Sequence, residues 1–342
     1  MEYRELGRTG VFVSAVSLGT MTFGGKSSPI WSTVGALSQD ESQHLVDAAL
    51  DAGVNLFSTA DAYGDGEAEE ILGRTLGSRR EDVLVSTKVA MRVGSGPNEF
   101  GVSRLHVMRS IERSLRRLGT DYIDIYMIHT FDQHTALEDT LTALDDAVHQ
   151  GKIRYLGASN IAAWQAMKAL GVVQRLGLTG LAALESYYSL VGRQIEAEIL
   201  PMAQDQHIGH ITYSPLAGGL LSGKFDRTGT TDETARWAKA QQPPVDIELA
   251  YSVIDALRAV AQRHGTSVAR VALAWVLARP GVTSVSLGAK RPAQLADNLG
   301  ALDVRLEPKD IEELDAASAP ATPAYPNYMQ DQYLAFMRPA SA

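Results

Sequence analysis

The 342-residue chain contains no cysteine. That removes disulfides, thiolate metal ligands and a thiol nucleophile from its chemistry. It has no apolar run of the ~18–20 residues that a membrane span needs. Its polar start, MEYRELGRTG, does not read as a secretory leader. No H-E-x-x-H sets two histidines for zinc, and no G-x-G-x-x-G follows the first strand to cradle a dinucleotide in a doubly wound sheet. A basic surplus is missing too. The net charge of −9 argues against nucleic acid or an anionic membrane surface as a main partner. The expectation is a soluble cytoplasmic protein with a small-molecule partner.

What is present is repetition. With 45% hydrophobic residues, the chain can bury either two ordinary domains or one α/β barrel. Short apolar strands are expected at Val13–Leu18, Val54–Phe57, Val83–Thr87, Ile123–Ile128, Ile153–Ala158, Leu181–Leu184, Ile208–Thr212 and Val282–Ser286. Helical patterns lie between them. Ser38 and Glu41 form a capping box before an apolar face of Leu45, Ala48, Ala49 and Ala52. Further helices are expected over Glu67–Leu72, Ser103–Leu118 (closed by Gly119), Leu137–Gln150, Ala163–Leu170, Ile195–Gln206 and Ala293–Leu299. Eight strands, each followed by a helix, make a single (β/α)8 barrel domain over residues 1–342. Glu2–Val13 alternates around Gly7-Arg8-Thr9-Gly10 as an N-terminal β-hairpin that could plug the barrel bottom. Leu216–Val245 is a long excursion after the seventh strand. The tail, 321–342, is a candidate cover for a substrate pocket.

The C-terminal ends of the strands carry the chemistry, because in a barrel they share one mouth. Tyr63, Lys88 and His129 all follow strands directly. A phenol serves as a general acid at neutral pH if its pKa falls by roughly 3 units, about 4 kcal/mol. An ammonium in contact supplies about that much at an effective dielectric near 20. A neighbouring imidazole can donate to a carbonyl oxygen as it gains charge. The trio suits protonation of a carbonyl whose carbon receives hydride. The other histidines, including His210, have no such placement and read as surface or packing residues. With no ligand-type cluster, no metal is expected.

Several stretches together resemble the aldo-keto reductase family over nearly the whole chain: LGRTGVFVSAVSLGTMTFGG, STADAYGDGEAEEILGRTL, SIERSLRRLGTDYIDIYMIHTFD, GKIRYLGASN, ITYSPLAGGLLSGKF and GAKRPAQLADNLGAL. The resemblance implies a (β/α)8 barrel and NAD(P)H-dependent reduction of aldehydes or ketones. It implies Tyr63 as the acid, Lys88 as the group that lowers its pKa, and His129 as the donor that orients the carbonyl. Ser159 and Asn160 match residues that bind the nicotinamide carboxamide, and Tyr213 matches the aromatic that stacks on its ring. Gly19, Thr20 and Met21 belong with the cofactor positions. Ser214, Leu216, Gly218 and Lys224 match the pyrophosphate loop, while Gly288, Lys290, Gln294 and Asn298 match the adenosine end. Lys290, with Arg291, would meet a 2′-phosphate, so NADP(H) is favoured over NAD(H).

Two positions depart from that pattern. An aspartate is usual five residues before the tyrosine, where this chain has Ser58, which can accept from Lys88 but brings no charge. Asp61 is a possible substitute. Glu185 stands where a glutamine usually meets the carboxamide; an amide donates and accepts, whereas an ionised carboxylate only accepts. The leading expectation is an NADP(H)-dependent carbonyl reductase. The alternative, motivated by Ser58 and Glu185, is an NADP(H)-binding regulatory or redox-sensing protein with weak turnover. Phe23–Leu37 with Trp31, Ala90–Phe100, Phe131–Thr135 and the tail tyrosines would line the pocket, which favours an apolar or aromatic substrate. The sequence assigns no oligomeric state.

Overall fold

A computed structural model describes residues 1–230, 236–320, 325–329 and 333. The chain opens with an antiparallel hairpin, β1 (Tyr3–Glu5) and β2 (Phe12–Ser14), and then enters the barrel at β3 (Val16–Gly19). In order follow α1 (Gln39–Asp51), β4 (Leu56–Ser58), α2 (Glu67–Leu76), β5 (Leu84–Val89) and α3 (Arg104–Leu118). Next come β6 (Ile123–Ile128), α4 (Leu137–His149), β7 (Ile153–Ser159), α5 (Ala163–Leu176), β8 (Leu181–Tyr187), α6 (Ile199–Asp205) and β9 (Gly209–Tyr213). After β9 the chain makes a small ribbon, β10 (Phe225–Asp226) and β11 (Gly229–Thr230), and then α7 (Arg236–Ala240), α8 (Ile247–His264) and α9 (Val268–Leu277). It closes with β12 (Ser284–Leu287), α10 (Pro292–Leu299) and α11 (Pro308–Ala317). Eight strands form a closed parallel barrel in the order β12-β3-β4-β5-β6-β7-β8-β9, the expected (β/α)8 architecture.

Local chemistry explains the element ends. The Ser38 hydroxyl accepts from the Glu41 N–H while the Glu41 carboxylate accepts from the Ser38 N–H, so α1 begins in a full capping box. Ser103 caps α3, and Gly119, at φ 64°, ends it in the left-handed conformation a β-carbon resists. Four expectations need correction. Val13 and Ser14 pair with Arg4 and Tyr3 in the hairpin, so the first barrel strand starts at Val16. Gly171 does not stop α5, which runs on to Gly177 at φ 67°. The sixth helix starts at Ile199 rather than Ile195, with Pro201 in its first turn, where a missing N–H goes unneeded. The span from β9 to β12 holds α8 and α9 as well as the excursion, so the one-strand, one-helix rhythm breaks there.

Buried side chains sort into an outer shell and an interior. One part of the shell packs α1–α5 on β4–β8; the other packs α8, α9 and α11 on β3 and β12. Leu56, Ile125, Met127, Ala183 and Ile211 fill the barrel, and Leu6 and Val13 of the hairpin join them. A β-carbon on Gly209 would lie 2.5 Å from Leu6 Cδ1, so the hairpin seals the N-terminal end at close contact. Most of the tail, 321–324, 330–332 and 334–342, lies outside the described residues, and with it the expectation that the tail covers the pocket. Asn327 Nδ2 donates to the Ala197 carbonyl at 2.8 Å. No helix among the described residues is long and apolar enough to cross a membrane.

Candidate active site

Strand alternation decides which side chains reach the mouth. Leu56, Met127, Ala183 and Ile211 point into the barrel, so Ser58, His129, Glu185 and Tyr213, each two residues further along, open at its C-terminal end. Gly157 faces Met127 at the same depth, which brings Ser159 to that level on β7. Ser286 arrives from β12, its Oγ 3.1 Å from where a β-carbon on Gly19 would sit.

Lys88 lies in the middle with no exposed surface. Its ammonium donates to Ser58 Oγ (2.8 Å) and to the Thr59 carbonyl (3.0 Å), and it stands 3.3 Å from Glu185 Oε2. Two of its N–H groups are thus hydrogen-bonded, and its charge is met by one carboxylate. Ser58 Oγ in turn donates to Glu185 Oε2 at 3.4 Å. The two positions that depart from the family pattern therefore touch each other and the same lysine. The carboxylate beside Lys88 is thus Glu185. Asp61 does not substitute: the charges acting on its buried carboxyl are those of Glu69 and Arg117, not Lys88.

Tyr63 heads a 3-10 turn, Tyr63–Gly66, in which Gly64, Asp65 and Gly66 all have positive φ (59°, 58° and 97°). Its half-buried ring meets His129 edge-on at 5.7 Å and Trp31 at 5.5 Å, and Lys88 Nζ lies 5.7 Å from the ring centre. Burial pushes the phenol's pKa well up; the Glu185 charge adds to this, and Arg236 opposes it. That is the reverse of the expected depression. It leaves Tyr63 protonated throughout the neutral range, the state a proton donor needs. Burial, and secondarily Lys88, pushes the His129 imidazole down to about 3, so it is neutral, and its Nδ1 has no hydrogen-bond partner among the described residues.

Asn160, at φ 53°, ties three strand ends together. Its Nδ2 donates to the His129 carbonyl (2.9 Å) and to Ser159 Oγ (2.9 Å), and its Oδ1 accepts from the Tyr213 hydroxyl (2.7 Å). Burial raises the Tyr213 phenol to about 12, with Glu185 and Tyr63 adding to the rise. Beside Tyr213, the Ser214 hydroxyl accepts from Arg236 Nη2 (2.9 Å). Arg236 escaped the sequence reading because nothing but its place in the excursion marked it. Ser286 escaped as well, although Ser284 and Ser286 alternate in a buried strand, a legible sign of a polar lumen.

The remaining sequence-derived positions lie at the end of β3 and in the segments that follow β3, β9 and β12. Gly19 ends β3 and Thr20 and Met21 follow it; the Thr20 N–H donates to the Ser58 carbonyl (2.9 Å) and its buried hydroxyl has no partner among the described residues. The Leu216 carbonyl accepts from Gly219 and Leu221 N–H in the turn after β9. Gly218, at φ 68°, lies against the Gln242 carbonyl so closely that a β-carbon would stand 2.3 Å from it. Lys224 follows that turn, just before β10. On the β12 side, a β-carbon on Gly288 would meet open space, and the Lys290 N–H donates to Gln294 Oε1 (3.0 Å). Asn298 is buried in α10. His210 was expected at the surface or in packing; it is fully buried, its ring nitrogens without partners among the described residues, and burial lowers it to about 4. No group of three or more metal-ligating side chains occurs among the described residues. A groove of about 620 Å³ lined by Asp65, Glu70, Arg74, Arg113, Arg116 and Arg117 opens on the outer helices, away from this centre.

The family model for the Aldo/keto reductase family matches residues 15–319. A probable voltage-gated potassium channel subunit beta of Oryza sativa subsp. japonica is 37% identical over 92% of this chain and 96% of its own length. An uncharacterised oxidoreductase of Bacillus subtilis is 36% identical, over 92% and 95% respectively. Versiconal hemiacetal acetate reductase of Aspergillus parasiticus is 32% identical, over 94% and 98%.

Proposed function

This chain belongs to the aldo/keto reductase family, whose chemistry is oxidation and reduction at carbonyl groups, and from that premise we propose an NADP(H)-dependent reductase of aldehydes or ketones with Tyr63 as proton donor. The observation that carries the reading is the packing of a protonated phenol against a neutral imidazole and a buried ammonium.

The mouth suits a pyridine nucleotide by its chemistry. Thr20 Oγ1, just past β3, and His129 Nδ1, just past β6, are buried polar atoms without partners among the described residues. Tyr213 offers a ring face. Arg236 on Ser214, Lys224, Lys290 and Arg291 supply cations for phosphates, and Lys290 with Arg291 favours NADP(H). Bound there, a reduced nicotinamide supplies a hydride to the carbonyl carbon. Tyr63 gives its phenolic proton to the carbonyl oxygen as charge builds on it. The neutral His129 ring donates an N–H to the same oxygen. Lys88, 5.7 Å from the phenol ring centre, is a cation placed to favour negative charge developing on the phenol as its proton leaves. Glu185 offsets part of that and keeps the proton on Tyr63 until a carbonyl needs it. Trp31 beside Tyr63, and Phe131 against Trp164 at 5.9 Å, favour an apolar or aromatic substrate.

Loss of NADPH absorbance against a panel of aldehydes and ketones tests the proposal. Tyr63→Phe is expected to lower kcat about 10²–10⁴-fold while leaving NADPH affinity nearly unchanged. Equal turnover by the two proteins would refute Tyr63 as the donor. Tight NADPH binding with no turnover across the panel would favour the regulatory, redox-sensing reading.

A further inference from the structure

We propose that Glu185 is the positioning residue for Lys88, a counter-charge supplied from across the barrel lumen and matched to Ser58, rather than a contact for the cofactor. This rests on reading Tyr63, Lys88 and His129 as the reacting centre. In the strand order, β5 adjoins β4, whereas β8 stands four places from β4 around the eight-stranded ring. A counter-charge at position 58 would therefore hold the ammonium against the neighbouring wall. Here it comes from the far wall, and Lys88 bridges to it through the lumen.

A fully buried ammonium needs such a partner: isolated from water it is strongly disfavoured or gives up its proton. Of the three acceptors around Lys88, the Ser58 hydroxyl and the Thr59 carbonyl are neutral. Glu185 is the one carboxylate in ion-pair range of Lys88 among the described residues. Ser58 is the residue type that completes this arrangement, because one hydroxyl accepts from Lys88 and donates to Glu185 at once. An aspartate at 58 would instead bring a second carboxylate up against the first. Serine at 58 and glutamate at 185 thus form a couple, each tolerable because of the other.

The test is a double-mutant cycle of wild type, Ser58→Asp, Glu185→Gln and the double variant, read first as thermal midpoints without cofactor. Glu185→Gln leaves the ammonium unpaired and Ser58→Asp crowds two carboxylates, so each single change is expected to lower the midpoint by about 5 °C. The double variant restores one ammonium facing one carboxylate and is expected to return most of that loss. NADPH titration by fluorescence should show affinities within about threefold in all four proteins, since binding at other contacts is untouched. In turnover, kcat should fall about tenfold or more in each single variant and recover in the double. The alkaline limb of the kcat profile should move to lower pH in Glu185→Gln. The charged and titratable groups facing the Tyr63 phenol are Lys88, Glu185, Arg236, Asp61, His129 and Tyr213, and this change removes one anion from them. Additive midpoint losses would overturn the proposal. So would a Glu185→Gln protein of unchanged midpoint that binds NADPH far more weakly, which would make Glu185 a cofactor contact. Because midpoints need no turnover, failure of the reductase reading would show separately as inactive wild type with the stability cycle intact.

Discussion

Two positions before the phenol, the Asp61 carboxyl is buried, and neither oxygen completes a hydrogen bond among the described residues. Burial, with the nearby Glu69 charge adding to it, raises this acid to about 8, against about 4 in an unfolded chain. Between those values the folded state holds a proton the unfolded state has released, so this group's contribution falls as pH rises through the window. Asp61→Asn should therefore melt with wild type near pH 4 and above it near pH 8, by a few kcal/mol at most. A difference independent of pH, read from melts across that range, would contradict this. His129 and His210 act with the opposite sign. Their folded values of about 3 and about 4 lie below the unfolded ~6.5, so stability is lost as pH falls below that point. At this scale the sequence discloses residue types and their strand-end positions. It does not disclose that Glu185 answers Lys88, because that contact crosses a lumen whose strand order a linear pattern leaves unstated.

Among the elements, the short turn carrying Tyr63 is the most tightly constrained. A β-carbon on Gly64 would stand 3.0 Å from Gly25 N and 3.1 Å from the Phe23 carbonyl, at a backbone angle that already favours glycine. A β-carbon on Gly25 would be 2.5 Å from Trp31 Cβ, so the two glycines let the Trp31 segment lie directly on the Tyr63 turn. Gly64→Ala should cost about 1–2 kcal/mol in urea denaturation. It should also reduce kcat/KM about tenfold by shifting the phenol, since small displacements of a reacting group are expensive. Wild-type values in both assays would show that the turn has room to adjust. Helix starts at Ser38 and Ser103 and the stop at Gly119 were readable because capping is local chemistry. The start at Ile199 and helix α9 were not, since a proline in a first turn resembles a break, and a buried helix lacks the polar face that marks its period.

For the molecule as a whole, the two barrel ends do separate work. The hairpin seals one end with Leu6 and Val13, and the candidate site residues Ser58, Lys88, His129 and Glu185 gather at the other. Leu6→Ala should destabilise the protein by about 2–5 kcal/mol. In protein that remains folded, kcat should stay within about twofold of wild type, because truncation at the sealed end leaves the positioned reacting groups untouched. A denaturation midpoint together with a turnover number measured well below it checks both halves, and a large loss of kcat would show that the ends are coupled. The eight-fold rhythm made this architecture legible, together with the plug, because alternation around a glycine turn signals a hairpin wherever it stands.

The ring closes between its first strand and its last, β3 and β12, with Val285 opposite Val16; just before β3, the Ser14 carbonyl accepts from Ser284 Oγ across 270 residues and the Ala15 carbonyl accepts from the Val285 N–H. On a ribosome adding about 5–20 residues per second, β3 therefore waits roughly tens of seconds for its neighbour to emerge. For that interval the nascent chain carries an open strand edge, a template for unwanted pairing. Until β12 emerges, that edge has to be shielded by something other than its final neighbour.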